Sequence, residues 1–155
     1  MSGKKAELKE DPILTILDLA INDCNRYCQA EGLFRSALTA KNILLPSPPD
    51  GHKVFISGPM TGYKYHNYHY FNVIENFLHR AGYKCVNPAK IGEKYNPDEV
   101  DKNKQLYKEM EEEIQAAEKT CDIILLLPGW ENSKGVRLEL KTALELDMKI
   151  VLWKN

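Results

Sequence analysis

The sequence predicts an α/β fold, in which helices cover both faces of a small parallel sheet. From residue 53 onward, short apolar runs typical of buried strands alternate with segments of helical period, in the order βαβαβαβ. Turns that contain glycine or proline separate these segments, and 155 residues suit one domain of ordinary size. An N-terminal helical extension precedes this alternating body.

A linker at residues 46–52 divides the chain, because three prolines and a glycine fall within it. The division gives an N-terminal helical extension at residues 1–45 and an α/β domain at residues 53–155.

The extension is expected to contain one long amphipathic helix. It begins at Asp11-Pro12, a favourable cap and first-turn pair, and ends at about Gly32. A shorter apolar segment follows as far as Leu45, and it either packs on its own domain or forms a dimer contact. Since the apolar stripe of the long helix must be covered, we expect a homo-oligomer, a dimer or larger.

The α/β domain then follows in order, and each element has its own signal. Residues 88–102 form a long polar stretch, which predicts a binding loop or lid. The predicted elements are a strand at 53–57, a helix at 67–81, a strand at 84–86, a helix from about 103, a buried strand after Cys121, a helix that contains Glu139, and a last strand ending near Trp153.

Charge and cysteine usage exclude several classes of function. The 21 Lys and Arg are dispersed among 22 Asp and Glu, which argues against duplex nucleic acid as a partner. The four cysteines have neither the number and spacing of a disulfide framework nor that of a zinc site, so no metal and no cofactor are expected. Reduced thiols, the missing signal core and the missing apolar run of about 18 residues predict a cytoplasmic protein without membrane contact.

Glu139 is the strongest candidate for a catalytic residue. It is expected in the first turn of its helix, in a stripe whose other members, Val136, Ala143 and Leu146, are apolar. This places a carboxylate at the carboxyl edge of the sheet, where ligand crevices lie and the helix N-terminus favours the ionised form. Glu139 can then act as a nucleophile or base, or else it caps first-turn amides or points to solvent.

Two loops are expected to meet at that edge. The first, Ser57-Gly58-Pro59-Met60-Thr61-Gly62, is neither a GxGxxG fingerprint nor a Walker A loop. Its hydroxyls, exposed amides and flexible backbone suit a sugar or a phosphate, although an ordinary tight turn has the same composition. The second loop, residues 128–135, contains Trp130, which either stacks on a base or caps the core.

A second acid is predicted on the helix that begins near residue 103. Glu113 is expected on its apolar side, whereas Glu109, Glu111, Glu112 and Glu118 are assigned to a solvated surface. Glu113 and Glu139 would supply the acid/base and nucleophile that glycosidic cleavage requires. The histidines are expected to be surface or packing residues, with His66 and His69 nearest the first loop.

Three segments together resemble a known group of proteins. VFISGPMTG at 54–62, AGYKCVNPA at 81–89 and CDIILLLPGWENSKGVRLELKTALEL at 121–146 are similar to the nucleoside 2-deoxyribosyltransferase-like superfamily, particularly its branch with ISGPMTG and LLPGW signatures. The resemblance implies a flavodoxin-like or Rossmann-like fold, usually oligomeric. It also implies action on the N-glycosidic bond of deoxynucleosides or deoxynucleoside 5'-monophosphates, as in the 5'-monophosphate N-glycosidases.

The resemblance assigns roles to particular residues. Glu139 matches the glutamate nucleophile of an x-Glu-Leu-x-x-Ala context, and Ser133 and Gly135 match a Ser-x-Gly that holds phosphate. Gly58 and the amides after it match sugar and phosphate contacts. Arg137 stands where relatives often have glycine, and we expect it to add a cation near a phosphate.

Two positions depart from the family pattern. Phe55 stands where the family often has a tyrosine whose hydroxyl lies near the nucleophile, so the hydrogen bond that orients Glu139 is expected to be missing. The family's acidic partner usually lies about eight residues before the aspartate that opens the third strand. That position is Ile114 here, and a shift of one residue gives Glu113.

The sequence therefore predicts a hydrolase or deoxyribosyl transferase that cleaves the N-glycosidic bond of a small-molecule nucleoside or nucleotide. The alternatives are a catalytically silent nucleotide-binding protein and an oligomeric interaction protein that uses the N-terminal helix. The expected substrate-binding residues are Phe55, Ser57, Gly58, Pro59, Met60, Thr61, Gly62, Gly129, Trp130, Ser133, Gly135 and Arg137.

Overall fold

Four parallel strands form the central sheet, in the order β2-β1-β3-β4, which confirms the predicted α/β fold. The computed structural model describes residues 30–43, 45–46 and 52–154. Because all pairings are parallel, every strand ends at the same edge of the sheet. The strands are β1 at Lys53–Ser57, β2 at Lys84–Val86, β3 at Ile123–Leu126 and β4 at Lys149–Leu152.

Six helices connect and cover these strands in the described part of the chain. Short 3-10 turns at Lys64–Asn67 and Trp130–Asn132 precede two of the helices. None of these helices has both the length and the apolar character that crossing a bilayer requires. The helices are α1 at Ala30–Ala40, α2 at Tyr68–Arg80, α3 at Pro88–Glu93, α4 at Pro97–Val100, α5 at Lys104–Glu118 and α6 at Lys134–Glu145.

The alternation of side chains along β1 decides what each face of the sheet contacts. Val54 and Ile56 belong to one core cluster, whereas Phe55 belongs to the other, with α5 and α6. Ser57 lies two residues beyond Phe55, so it faces the same side, and it pairs with Leu126 of β3. The Ser57 hydroxyl therefore lies on the face of the sheet that α5 and α6 cover, at the carboxyl edge.

Helix α1 is part of the core. Phe34, Leu38 and Ile43 are buried with residues of α2 and β4, and the Phe34 ring contacts Phe77 edge-on, with 4.8 Å between centroids. Phe77 in turn contacts Trp153 at 5.7 Å between centroids. The apolar segment before the linker therefore packs on its own domain, which was one of the two predicted alternatives.

Gly32, the predicted end of the long helix, lies inside α1. Helix α1 is followed by a left-handed turn at Asn42 with φ of 59°. There the Ile43 amide donates to the Leu38 carbonyl oxygen at 2.9 Å, and both side chains are buried, as in a Schellman motif. The earlier part of the predicted helix, before residue 30, lies outside the described residues.

The predicted loop at 88–102 is also wrong, because it contains α3 and α4. The Asn87 side chain accepts a hydrogen bond from the Ala89 amide at 2.9 Å, and Pro88 occupies the first turn. Asn96 likewise accepts from the Asp98 amide at 3.0 Å. An asparagine followed by proline is a turn signal and equally a helix cap with its first-turn proline, so composition alone misassigned this stretch.

We expect Phe34→Ala to lower the free energy of unfolding by about 3 to 5 kcal/mol, because it empties a fully buried aromatic site. Urea unfolding followed by circular dichroism measures the change. Ser36→Ala, at an exposed position of the same helix, is the matched control. Equal stability of the two variants would show that α1 does not support the core.

Candidate active site

A cavity of about 580 Å³ opens at the carboxyl edge of the sheet. Its volume falls in the range of about 300 to 1,000 Å³ that is common for small-molecule sites. The wall includes the loop after β1, the 3-10 turn before α2, parts of α3 and α5, the end of α4, the loop after β3 and the start of α6. Among the described residues, no group of three or more His, Cys, Asp or Glu side chains is placed to hold a metal ion.

Glu139 lies in the wall of this cavity, half-buried, with its carboxyl enclosed. It is the sixth residue of α6 and so belongs to the second turn, which corrects the predicted first-turn position. The cap is Ser133, whose Oγ accepts from the Val136 amide at 3.3 Å. Glu139 is therefore neither a cap nor a solvated surface residue.

The surroundings of Glu139 favour its neutral form. Burial raises its pKa well above the ordinary value, and the neighbouring carboxylates of Glu118 and Glu111 raise it further. The Ser57 hydroxyl opposes this effect, because Ser57 Oγ donates to Glu139 Oε2 at 3.3 Å and stabilises the charged form. Glu139 is the type of perturbed carboxyl that is common at functional sites.

Ser57 supplies the orienting hydrogen bond that the sequence seemed to lack. Phe55 is fully buried in the core cluster with α5 and α6 and does not line the cavity, so its predicted substrate contact is wrong. Ser57, two residues later on the same face of β1, is buried and reaches Glu139 directly. The period of two along a strand was the signal that could have found this role.

Glu113 is not placed beside Glu139. Its carboxylate accepts hydrogen bonds from Lys94 Nζ at 2.9 Å and from Tyr95 Oη at 2.8 Å, both outside the cavity. The hydrogen bond from Lys94, and then that from Tyr95, lowers the pKa of Glu113. The geometry corrects the prediction that Glu113 faces the apolar side with Glu139.

Glu111 occupies the place predicted for Glu113. Tyr107, Glu111 and Ile114 share one face of α5, at spacings of four and three residues, and all line the cavity. Burial and then a hydrogen bond with Glu111 raise the pKa of Tyr107 to about 12, and Glu139 adds to this rise. The sequence interpretation missed Glu111 because it placed the functional face of α5 on the side of Glu113.

The loop after β1 lines the cavity in part, because Ser57 is fully buried and does not reach the cavity wall. Gly58, Pro59, Met60 and Thr61 form part of the wall, whereas Gly62 turns the chain with φ of 85° without lining it. A Cβ atom at Gly58 would lie 2.8 Å from Leu127 Cβ. The first glycine therefore permits close packing of this loop on the loop after β3.

The second loop is placed partly as predicted. Gly129, Ser133 and Gly135 line the cavity. Trp130 instead packs against the core cluster of the α5–α6 face, so the alternative that it caps the core is confirmed. Arg137 is exposed and donates to the Glu131 carbonyl oxygen at 3.4 Å, outside the cavity, which contradicts its predicted phosphate contact.

Aromatic residues of the 3-10 turn region were missed as cavity residues. Tyr63, His66 and Tyr68 all line the wall. The turn is unusual, since Tyr65, His66 and Asn67 have left-handed φ values of 49°, 54° and 62°. Asn67 Nδ2 donates to the Pro59 carbonyl oxygen at 2.9 Å and holds this turn against the first loop.

Ser57→Ala should raise the pKa of Glu139 further, because the hydrogen bond from Ser57 stabilises the carboxylate. Carbon-detected NMR of labelled glutamate carboxyl groups, followed against pH, measures the shift. Thr61→Val removes another hydroxyl from the cavity wall and serves as the control. An unchanged titration of Glu139 in Ser57→Ala would show that this hydrogen bond does not form in solution.

Comparison with known proteins assigns the chain to a family. No curated protein and no solved structure matches the chain. Residues 52–152, almost two thirds of the chain, match the family described as Domain of unknown function (DUF4406). The matched region contains the whole sheet and every residue of the cavity wall. The chain therefore belongs to the DUF4406 family.

Proposed function

We propose that this protein cleaves the N-glycosidic bond of a deoxynucleoside or a deoxynucleoside 5'-monophosphate, with Glu139 as the nucleophile. One observation supports this most directly. A half-buried glutamate in a cavity of ligand size is held by the Ser57 hydroxyl and lies near a second cavity acid, Glu111. Such a carboxyl pair is the chemical requirement of glycoside hydrolysis.

The proposed reaction is a displacement with retention. The Glu139 carboxylate attacks the anomeric carbon, and the carbon–nitrogen bond breaks with its electron pair passing to the base. The leaving base takes a proton from water, and a deoxyribosyl ester of Glu139 forms. Water activated by the Glu111 carboxylate, or a second nucleobase, then resolves the ester. Hydrolysis and transfer share the first half of this sequence.

The raised pKa of Glu139 determines how the rate of the proposed reaction depends on pH. Only the carboxylate can attack, so the active fraction grows as pH rises through the pKa of Glu139. The acid limb of kcat/KM therefore belongs above the ordinary glutamate range. A cation-like sugar in the transition state favours the same ionised form, since opposite charges stabilise each other.

The start of α6 is the part of the cavity that suits a 5'-phosphate. Ser133, Lys134 and Gly135 line it there, and the first amides of a 12-residue helix point toward the N-terminus. Lys134 adds a cation, whereas Asp101, Glu111 and Glu139 make the rest of the cavity acidic. A phosphate is repelled from those carboxylates, so the helix start is its favourable place.

Aromatic side chains in the cavity wall offer a surface on which the base can stack. Tyr68 of α2 and Tyr107 of α5 line the cavity, and His66 lies at the strained turn. They present an aromatic surface for the base, which was one of the two alternatives predicted for Trp130. The reduced thiols expected from the sequence fit a cytoplasmic enzyme of nucleotide metabolism, which is part of the proposal.

Assembly into a homo-oligomer is also part of the proposal. The edge strand β4 exposes Ile150 and Leu152, and α6 exposes Leu138 and Leu144, the last of these at 63 %. Exposed apolar side chains on an edge strand and its adjacent helix favour association. Leu138 also lines the cavity, so such a contact would lie close to the site.

Glu139→Gln should reduce base release by several orders of magnitude while substrate binding survives, because the amide keeps the shape but is not a nucleophile. Chromatography for free base, after incubation with a panel of deoxynucleosides and their 5'-monophosphates, measures the loss. Glu145→Gln, exposed on the same helix, is the matched control.

Two results would contradict the proposal. Unchanged turnover in Glu139→Gln would remove this residue from the mechanism. A wild-type protein that is thermally stabilised by nucleotides yet releases no base would instead support the catalytically silent binding protein.

Lys134→Met should weaken 5'-monophosphates by about 10- to 100-fold and leave nucleosides nearly unaffected, since a charged hydrogen bond contributes about 1.5 to 3 kcal/mol. The ratio of kcat/KM for the paired substrates measures this, with Lys141→Met on the exposed side of α6 as control. Ser133→Ala is a less clean test, because its hydroxyl also caps the helix. Equal losses on both substrates would place the phosphate elsewhere.

A further inference from the structure

Helix α3 contains a glycine that its backbone conformation does not require. Gly92 is buried near the end of α3, and its φ lies outside the left-handed region in which Gly62, Gly82 and Gly129 fall. A glycine inside a helix destabilises the helix relative to alanine, so such a position usually has a packing reason. The reason here is an aromatic ring, because a Cβ atom at Gly92 would lie 2.3 Å from Tyr68 Oη and 3.1 Å from Tyr68 Cζ.

The ring of Tyr68 lies between the core and the cavity. Tyr68 packs against the core cluster that contains Val54 and Ile56, and its hydroxyl end meets Gly92. Tyr68 and Gly92 both line the cavity, so the cavity is the open space beside the ring. A methyl group at residue 92 would therefore displace the ring toward the space that a ligand occupies.

Polar contacts fix α3 against the face of α2 that carries Tyr68. Tyr68, Asn72 and Glu75 share this face, at spacings of four and three residues. Asn72 Oδ1 accepts a hydrogen bond from Asn87 Nδ2, at the start of α3, at 2.9 Å, and the buried Glu75 accepts one from Lys90 Nζ. Because these contacts hold α3 in place, an added methyl group at residue 92 moves the ring and not the helix.

A second ring continues the aromatic surface of Tyr68. The centroids of the His66 and Tyr68 rings are 5.5 Å apart, with 36° between the ring planes, and both side chains line the cavity. A purine has two fused rings and can contact both side chains at once, whereas a pyrimidine contacts only one of them. Because stacking of a base on an aromatic side chain is favourable, the larger base gains more from this pair.

We propose that Gly92 is a specificity-determining residue, which keeps the Tyr68 ring in place beside His66 and thereby gives the site a preference for purine over pyrimidine bases. The substrate class rests on the proposed function, whereas the contact between Gly92 and Tyr68 is a property of the fold. Gly92 touches no reacting atom and acts through Tyr68.

Isothermal titration calorimetry with the four common deoxynucleosides and their 5'-monophosphates tests the preference, in the Glu139→Gln background so that the ligands stay intact. Purine ligands should bind about 5-fold or more tighter than pyrimidine ligands, the low end of what stacking on an aromatic side chain contributes. Gly92→Ala should bring this ratio close to one. Gly32→Ala, the same change inside α1, from which no described residue lines the cavity, should leave the ratio unchanged.

A second substitution distinguishes displacement of the ring from general damage. Tyr68→Phe removes Oη, the atom nearest to the added methyl group, and keeps the ring. The double variant Gly92→Ala/Tyr68→Phe should therefore recover most of the purine preference, and most of the Tm that Gly92→Ala loses, because the overlap is relieved. Equal weakening of all ligands by Gly92→Ala, without recovery in the double variant, would assign Gly92 a purely structural role and overturn the proposal.

Tyr68→Leu repeats the test without a change at residue 92, should Gly92→Ala fold poorly. It removes one of the two rings, so it should also bring the purine ratio close to one. The proposal is wrong if the ratio is near one before either residue is changed, or if the purine preference survives Tyr68→Leu.

The outcomes separate this proposal from the proposed function. A purine preference that depends on Gly92, without release of free base by the wild-type protein, would remove the reaction and retain the role of Gly92. Base release without a purine preference would retain the reaction and remove the role of Gly92. A protein that binds neither the nucleotides nor their nucleosides would overturn both.

Discussion

The hydrogen bond between Ser57 and Glu139 is the contact on which the arrangement of the site depends. It joins the end of a central strand to the second turn of α6, and both partners are largely removed from water. Because β1 pairs with β2 on one side and β3 on the other, Ser57 cannot change faces without a shift in both registers. The sheet thereby fixes the atom that orients the carboxyl.

The α/β domain at residues 53–155 does not cover both faces of the sheet by itself. Helices α5 and α6 pack on the face that bears Ser57, and α2 packs on the opposite face. Phe34 and Leu38 of α1 complete that opposite cluster beside Trp153. From residue 30 onward, the extension is therefore part of the packed core. It helps to cover the sheet, and the rigid sheet holds the cavity loops in place.

Strands, long helices and the loops that follow strands could be predicted from the sequence, because periodicity and turn chemistry are local signals. Glu139 and Gly58 were found in this way. Glu111 was missed because α5 buries almost no apolar side chain, so its sequence does not reveal which face meets the cavity. Each residue along a helix turns the side-chain direction by about 100°, so Glu111 and Glu113, which are two residues apart, lie on nearly opposite sides of the helix. Only tertiary packing decides such a choice.

The distribution of charge along α6 suggests how a substrate would lie. Lys134 begins the helix and Glu139 follows five residues later, about 7.5 Å along the axis. A deoxyribose 5'-phosphate bound between them would place its phosphate at the cationic helix start and its anomeric carbon near the carboxyl. The three cavity carboxylates then act against the reverse orientation, because a phosphate beside Glu111 or Asp101 would meet like charge. Under the proposed function, selectivity for one binding direction would come from repulsion as well as from attraction.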